Sequence, residues 1–222
     1  MRIVSFGDIH MSLHTIERLG PELSVADLVI LSGDLTNYGG RDDAVTVLAA
    51  TRRHARAVLA VCGNLDMREV IDLLDDEGIS LHGDARRIGD LGIFGCGGSN
   101  VTPLRTPTEL SEAEIAALLE RGHARVADAP HRLMVCHTPP IDSATDRLLN
   151  GEHVGSPAVR RFIEMHQPEV CITGHIHESA GVDRIGATVV LNAGAFREGG
   201  YIVVDDANGA LHARLTRLSA AT

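Results

Sequence analysis

Lysine is absent from this 222-residue chain, and all twenty basic residues are arginines. A Schiff-base lysine, a lysine general base and a phosphate-loop lysine are thereby excluded. Tryptophan is absent too, and aromatics make up only 3% of the residues, which argues against the stacking platforms that single-stranded nucleic acids use. The four cysteines, Cys62, Cys96, Cys136 and Cys171, lie far apart and form no CxxC pair or zinc-ribbon spacing. Three of them sit in or at the end of apolar runs (VLAVC, LMVC, EVCIT), so buried free thiols in a reducing compartment are expected. No apolar run approaches the ~20 residues of a membrane span, and the amino-terminal MRIVSFGD has no secretory leader pattern. A basic excess is also missing. Thirty acidic against twenty basic residues give a formal net charge of -10, the reverse of the footprint of a non-specific nucleic-acid binder. Together these absences predict a cytoplasmic chain, with neither a membrane nor long nucleic acid as its partner.

The length suits one domain spanning 1–222, and 44% hydrophobic residues supply a sizeable core without disulfides. Short β-branched runs predict strands over Arg2–Phe6, Asp27–Leu31, Ala57–Val61, Gly92–Gly95, Arg132–Cys136, Glu169–Thr173, Thr188–Leu191 and Tyr201–Val204. Helical patterns predict helices over Arg41–His54, Arg68–Asp76, Ser111–Gly122 and Ser156–His166. Ser111 followed by Glu114 has capping-box spacing, and Ile115, Leu118 and Leu119 share one face. Near-continuous apolar strands alternating with amphipathic helices mean an α/β protein with largely parallel, covered sheets. The segment DDANGAL predicts an antiparallel hairpin with Asn208-Gly209 at its turn. The acidic run Leu73–Glu77 reads as a solvated helix face. Two irregular stretches, Gly97–Pro107 and His137–Pro157, are long for a compact domain, and such loops are often functional.

Chemistry concentrates directly after the apolar strands. IVSFG runs into Asp8 and His10, LVILSG into Asp34, VLAVCG into Asn64 and Asp66, RLMVC into His137, and EVCITG into His175 and His177. In open α/β sheets the ligand crevice lies at the carboxyl ends of strands, so these side chains are expected to converge. Asp8, His10, Asp34, Asn64, His137, His175 and His177 offer oxygen and nitrogen donors and no thiolate. Such a set suits Mn, Fe, Zn or Ni. Seven donors exceed one tetrahedral ion, so two divalent ions sharing a bridging carboxylate are the economical solution. A pair ~3.5–4 Å apart clamps the attacking and leaving oxygens of an in-line displacement and lowers the pKa of a bound water.

The order DxH (Asp8-Ile9-His10), GD (Gly33-Asp34), GNxD (Gly63-Asn64-Leu65-Asp66), an isolated His137 and GHxH (Gly174-His175-Ile176-His177) resembles the calcineurin-like metallophosphoesterases. The segment GEHVGSPAVRRFIEMHQPEVCITGHIHES is similar to the small prokaryotic phosphoesterases of that superfamily, and the NAGA stretch Asn192–Ala195 extends the match. The resemblance implies a four-layer αββα sandwich, two mixed β-sheets flanked by helices. It implies one metal held by Asp8, His10, Asp34 and His177, and a second by Asp34, Asn64, His137 and His175, with Asp34 bridging and manganese foremost among the candidate ions. It further implies a phosphoesterase in which a bridging hydroxide attacks phosphorus without a covalent enzyme intermediate. Small members of the superfamily often take diesters or cyclic nucleotides, so a phosphodiesterase acting on a small phosphoester is expected ahead of a phosphomonoesterase. A protein-binding scaffold on the same fold is the alternative from another class; such relatives usually lose ligands, and here all seven are present.

One position departs from the family's pattern. Where the family carries GNH, with a histidine that contacts phosphate and can protonate the leaving group, this chain has Leu65. General acid catalysis is typically worth 10²–10⁴-fold, so a substitute donor is needed for poor leaving groups. His153, in the loop that starts at His137, is the candidate donor or phosphate contact. The remaining histidines are assigned no chemistry; His54, His123 and His166 fall at or near predicted helix ends, where a cation is mildly favoured. Arg197 reads as a solvent-facing arginine.

Overall fold

A computed structural model describes residues 1–207 and 209–219. The first sheet has the order β13-β12-β1-β2-β3. It contains β1 (Arg2–Phe6), β2 (Leu28–Ser32), β3 (Val58–Val61), β12 (Gly200–Ala207) and β13 (Ala210–Arg217). The second has the order β10-β11-β9-β8-β5-β4, from β4 (Ala85–Ile88), β5 (Leu91–Cys96), β8 (His131–Cys136), β9 (Val170–Thr173), β10 (Gly181–Ile185) and β11 (Thr188–Asn192). A two-residue pair, β6 (Ser99–Asn100) with β7 (Glu109–Leu110), stands apart. Strands β1, β2 and β3 run parallel, as do β5, β8, β9 and β11. The edges β12–β13, β10–β11 and β4–β5 are antiparallel. The expected hairpin is therefore present; Asn208 of its turn lies outside the described residues.

Alternation along the strands of the second sheet creates the layers. Leu133, Val135, Val170, Ile172 and Leu191 join one core with the first sheet and with helices α1 (Leu13–Ser24), α2 (Arg41–Arg52) and α3 (Arg68–Asp76). Their neighbours Met134, Cys136, Cys171 and Val190 point the other way, into a core shared with α4 (Glu112–Ala124) and α5 (Pro157–His166). The order helices, sheet, sheet, helices is the four-layer αββα sandwich. It follows from period-two strands whose two faces are both apolar.

Local signals set the helix ends. Ser111 accepts a hydrogen bond from the Glu114 backbone N–H, while Glu114 accepts from that of Ser111 at 2.8 Å. Ser156 caps α5 ahead of Pro157 at its first turn. In α3, Leu73 and Leu74 are buried and Asp75, Asp76 and Glu77 are exposed, as the acidic run predicts.

Helix α1 is not among the helices that the sequence pattern predicts. Gly20 and Pro21 near its end read as breakers, but Pro21 removes one hydrogen bond in an otherwise amphipathic helix whose Ile16, Leu19 and Leu23 are buried. Gly20 is required by a close approach: a Cβ there would meet the His54 ring at 2.8 Å. His54, given no role above, packs on α1 and donates to Glu17 at 2.9 Å.

Candidate metal centre

The parallel strands of both sheets end at one place, and the turns that follow them carry all seven predicted residues. His137, after β8, donates its Nδ1–H to the Ser32 carbonyl at the end of β2 (2.9 Å), crossing from the second sheet to the first. Gly33 makes that crossing possible. Its φ is +106°, and a Cβ would lie 2.3 Å from the His137 ring. Asp8, His10, Asp34 and His175 all have positive φ, between 45° and 67°. Such conformations are uncommon for non-glycine residues and persist where the surroundings hold them, often at functional sites.

Two groups of donor atoms form around Asp34. In the first, His177 Nε2 lies 3.2 Å from both His10 Nε2 and Asp8 Oδ1, and His10 Nε2 is 3.7 Å from Asp34 Oδ2. In the second, Asn64 Oδ1 lies 2.8 Å from His175 Nδ1 and 3.2 Å from His137 Nε2, and His137 Nε2 is 3.5 Å from Asp34 Oδ2. Asp34 Oδ2 thus faces both groups, while Oδ1 is anchored by the Leu65 backbone N–H at 2.8 Å. Asp8, His10 and His177, and separately Asp8, Asp34 and His137, offer ligand atoms close enough for an ion.

The tautomers suit metal ligation. The carbonyls of Ser32 and Thr36 can only accept, so they hold the protons of His137 and His10 on Nδ1 (2.9 and 3.3 Å) and turn each Nε2 inward. A backbone carbonyl fixing the outer ring nitrogen is the usual support of a ligating histidine. His10 and His177 bring their Nε2 atoms to 3.2 Å, close enough to share one proton or, with both unprotonated, to converge on one ion. The donor set fits divalent metal.

Electrostatics say the same. Burial disfavours charge on His137, but Asp34, then Asp8, outweigh it and raise its pKa to about 9. Burial, then repulsion from His137, pushes His175 down to about 4. The buried carboxylates thus demand a positive charge, and it falls on the nearest imidazole.

A second set of contacts holds these residues in place. Asp66 is fully buried and accepts from the backbone N–H groups of Gly63 (2.7 Å), Leu35 (3.1 Å) and Thr36 (2.8 Å) and from the Thr36 hydroxyl (2.8 Å). It ties the turn after β2 to the turn after β3. Asn192, in the NAGA stretch, donates to the Ile176 carbonyl at 2.8 Å, and the Phe196 N–H donates to the Asp8 carbonyl at 3.1 Å. The His175 N–H reaches both Asp8 carboxylate oxygens at 3.1 Å.

His153 lies beside the centre. It lines, with His175 and His177, a cleft of about 590 Å³ between the two irregular stretches. Its Nδ1–H donates to Asp146 Oδ1 at 2.6 Å. Asp146 is fully buried and also accepts from the backbone of Ser143 and Gly155 at 3.0 Å. Sequence reasoning missed Asp146, because only folding reveals that it sits beneath His153. Leu65 is half-buried, with its backbone N–H on Asp34. Arg197 is exposed, as expected. His123 and His166 lie far from this centre, at the α4–α5 contact, where His166 donates to Glu120 at 2.8 Å.

Paired mixed sheets with oxygen and nitrogen donors gathered where their strands end define the metallophosphoesterase class of hydrolase. The family model for calcineurin-like phosphoesterases matches residues 1–179, and the chain belongs to that family. It is a metal-dependent phosphoester hydrolase. A protein from Methanocaldococcus jannaschii, MJ1162, is 34% identical over 219 residues, covering 94% of this chain and 98% of its own. The fold is similar to that of TT1561 from Thermus thermophilus (TM-score 0.72, 18% identity, 98% of this chain and 99% of that one). It is also similar to the purple acid phosphatase PPD1 from yellow lupin seeds (TM-score 0.63, 11% identity, 99% of this chain and 52% of that one). Among the described residues no helix is long and apolar enough to cross a membrane.

Proposed function

We propose that the chain is a dinuclear phosphodiesterase of small organic phosphoesters, with Asp8, His10, Asp34 and His177 holding one divalent ion and Asp34, Asn64, His137 and His175 the other. The observation that carries the reading is Asp34 Oδ2, which faces His10 on one side and His137 on the other. Manganese is the foremost candidate, since the donors are oxygen and imidazole nitrogen without thiolate. The four cysteines are free and buried, which supports a reducing, cytoplasmic setting. The test is a panel of mono-, di- and cyclic phosphoesters assayed with Mn²⁺, Ni²⁺ and Zn²⁺, with Asp34→Ala as the blank. Faster turnover of monoesters than of every diester overturns the diesterase assignment.

Two divalent ions bound there supply charge to the phosphoryl oxygens and lower the pKa of a coordinated water. The chain's own residues orient this centre and manage the departing oxygen. Leucine at position 65 cannot donate a proton. His153 can: Asp146 accepts its Nδ1–H, which leaves Nε2 as the ring nitrogen available for proton transfer in a residue that lines the cleft. Proton delivery from Nε2 to the leaving alkoxide is the role assigned to it. His153→Ala is expected to lower kcat/KM about 10²–10⁴-fold on a dialkyl phosphate, and far less on a p-nitrophenyl ester, whose leaving group departs unaided. An unchanged kcat/KM on the dialkyl ester removes His153 from the mechanism.

Leu65 supplies a complementary prediction. Its backbone N–H is fixed on Asp34, so a histidine there projects from an anchored turn. Leu65→His is expected to raise turnover of alkyl esters more than that of p-nitrophenyl esters, by up to about 10²-fold in the ratio. Equal effects on both ester types show that position 65 is not placed for proton transfer.

A further inference from the structure

We infer that the cleft beside the metal centre receives the leaving alcohol of a singly charged phosphodiester, and that this alcohol is apolar. The inference rests on the phosphodiesterase reading above and adds the substrate class. One wall of the cleft is the 97–107 stretch, which presents Val101, Pro103 and Leu104; the other is the 137–157 stretch, which presents Leu148 and Val154; His175 and His177 lie in the same cleft. Val101 is 70% exposed and Leu104 76%, and Leu149, next to the opposite wall, is 90% exposed. Single exposed apolar side chains need no explanation, but apolar groups gathered around one cleft mark a binding surface.

These side chains are held outward by a fixed frame. Glu109 Oε1 accepts from the Thr102 hydroxyl (2.6 Å), the Thr106 N–H (2.7 Å) and the Thr106 hydroxyl (2.9 Å), which pins the turn that carries Leu104. Asn100 stitches the two walls together, donating to the Val154 carbonyl (3.1 Å) and accepting from the Thr138 hydroxyl (2.8 Å). The cleft is pre-formed, so an apolar group entering it gains desolvation without the cost of ordering the walls.

Charge selects the same ligand. Among the described residues no arginine lines the cleft; its charged members besides the histidines are Glu152 and Glu178. Arg105, the arginine of the first wall's loop, lines a different recess with Tyr38 and Met67. A nucleoside polyphosphate, or any ester with a second anionic group, would set that charge against two carboxylates with no arginine of the cleft to receive it. A diester spends its single negative charge at the metals and leaves a neutral group for the cleft. His153, in the same wall, then stands beside the oxygen that departs with the apolar alcohol.

The test uses methyl alkyl phosphates whose leaving alcohol is ethanol, butanol or octanol. Their leaving-group basicities are nearly equal, so differences report the cleft and not the chemistry. Release of methyl phosphate by the Mn²⁺-loaded protein is followed by phosphorus NMR. Full burial of one methylene corresponds to about a fourfold gain, and partial burial along an open wall leaves an expected octyl-to-ethyl ratio in kcat/KM of about 50-fold or more. In Leu104→Asp and Val101→Asp, both exposed positions that leave the core untouched, that ratio is expected to fall below about fivefold. Hydrolysis of the ethyl ester with no dependence on chain length overturns the cleft proposal and leaves the phosphodiesterase reading intact. Preference for a choline ester over its neutral isostere, the 3,3-dimethylbutyl ester, also overturns it, because the carboxylates would then be recognising a cation. If no ester is hydrolysed, the phosphodiesterase reading fails, and calorimetric titration with ethyl and octyl methylphosphonate decides the cleft on its own. Octyl binding at least tenfold tighter supports it, and equal Kd values overturn it.

Discussion

Asp34→Ala is expected to reduce phosphodiester hydrolysis by about 10³-fold or more at saturating Mn²⁺ and to lower the bound metal from two ions per chain towards one or none. The size follows from what the side chain touches. Its Oδ2 faces His10 at 3.7 Å and His137 at 3.5 Å, so in the proposed centre it is the one protein oxygen that both ions would share. A pair of ions supplies several kcal/mol of transition-state charge stabilisation, and every 1.36 kcal/mol is a factor of ten in rate. Removing the shared ligand separates the ions or loses one, and most of that stabilisation goes with it. The variant is expected to fold. His137 loses the carboxylate that keeps it charged, and a buried imidazole discharges by releasing its proton instead of remaining an unpaired cation. Metal content by elemental analysis and kcat on one diester check both halves. Two tightly bound ions, or more than a tenth of the wild-type rate, removes Asp34 from the bridging position.

How much of this was legible beforehand depends on the range of the interaction. The ligand turns were readable because each is local: an apolar strand and then, across a glycine in four of the five, an aspartate, asparagine or histidine. The parallel arrangement of the strands guarantees that such turns land at one end of the sheets. The Ser111 cap was readable for the same reason. Elements that depend on partners far away were not. Helix α1 has Gly20 and Pro21 in its sequence, and only the His54 ring lying against Gly20 explains why the glycine is there. Strand β4 carries two arginines and lacks the continuous apolar run of a covered strand, and β13, exposed or half-buried along its length, was legible only through the hairpin turn before it. The hydrogen bond from His153 to Asp146 closes over seven residues of irregular chain, and irregular chain has no period from which facing side chains can be inferred. His153 could be singled out from its loop, but its partner could not.

Asp66 shows the same limit, because its motif marks it while its role appears only with the contacts, and it supports the largest expected loss of stability. Asp66→Ala is expected to lower Tm by about 6–12 °C even in the presence of EDTA. Three backbone N–H groups, of Gly63, Leu35 and Thr36, and the Thr36 hydroxyl end on this one carboxylate. Each buried donor left without an acceptor costs about 1–3 kcal/mol. The sum is reduced by what the wild type gives up to keep the group there. Burial above all, then the nearby Asp34 charge, raises the Asp66 pKa to about 6, so ionising it inside the fold is itself costly. A net loss of about 3 kcal/mol remains, and for a chain of this length each kcal/mol moves Tm by about 2–4 °C. EDTA separates holding from ligating. Asp66 touches the turns that present Asp34 and Asn64 but lies outside both donor groups, so its loss destabilises the protein whether or not metal is bound. Loss of Asp34 acts mainly through the ions, and its effect on Tm is expected to shrink when they are removed. Thermal unfolding of both variants with Mn²⁺ and with EDTA makes the comparison. An Asp66→Ala Tm equal to wild type in EDTA would show that the carboxylate serves the metals alone and does not join the turns.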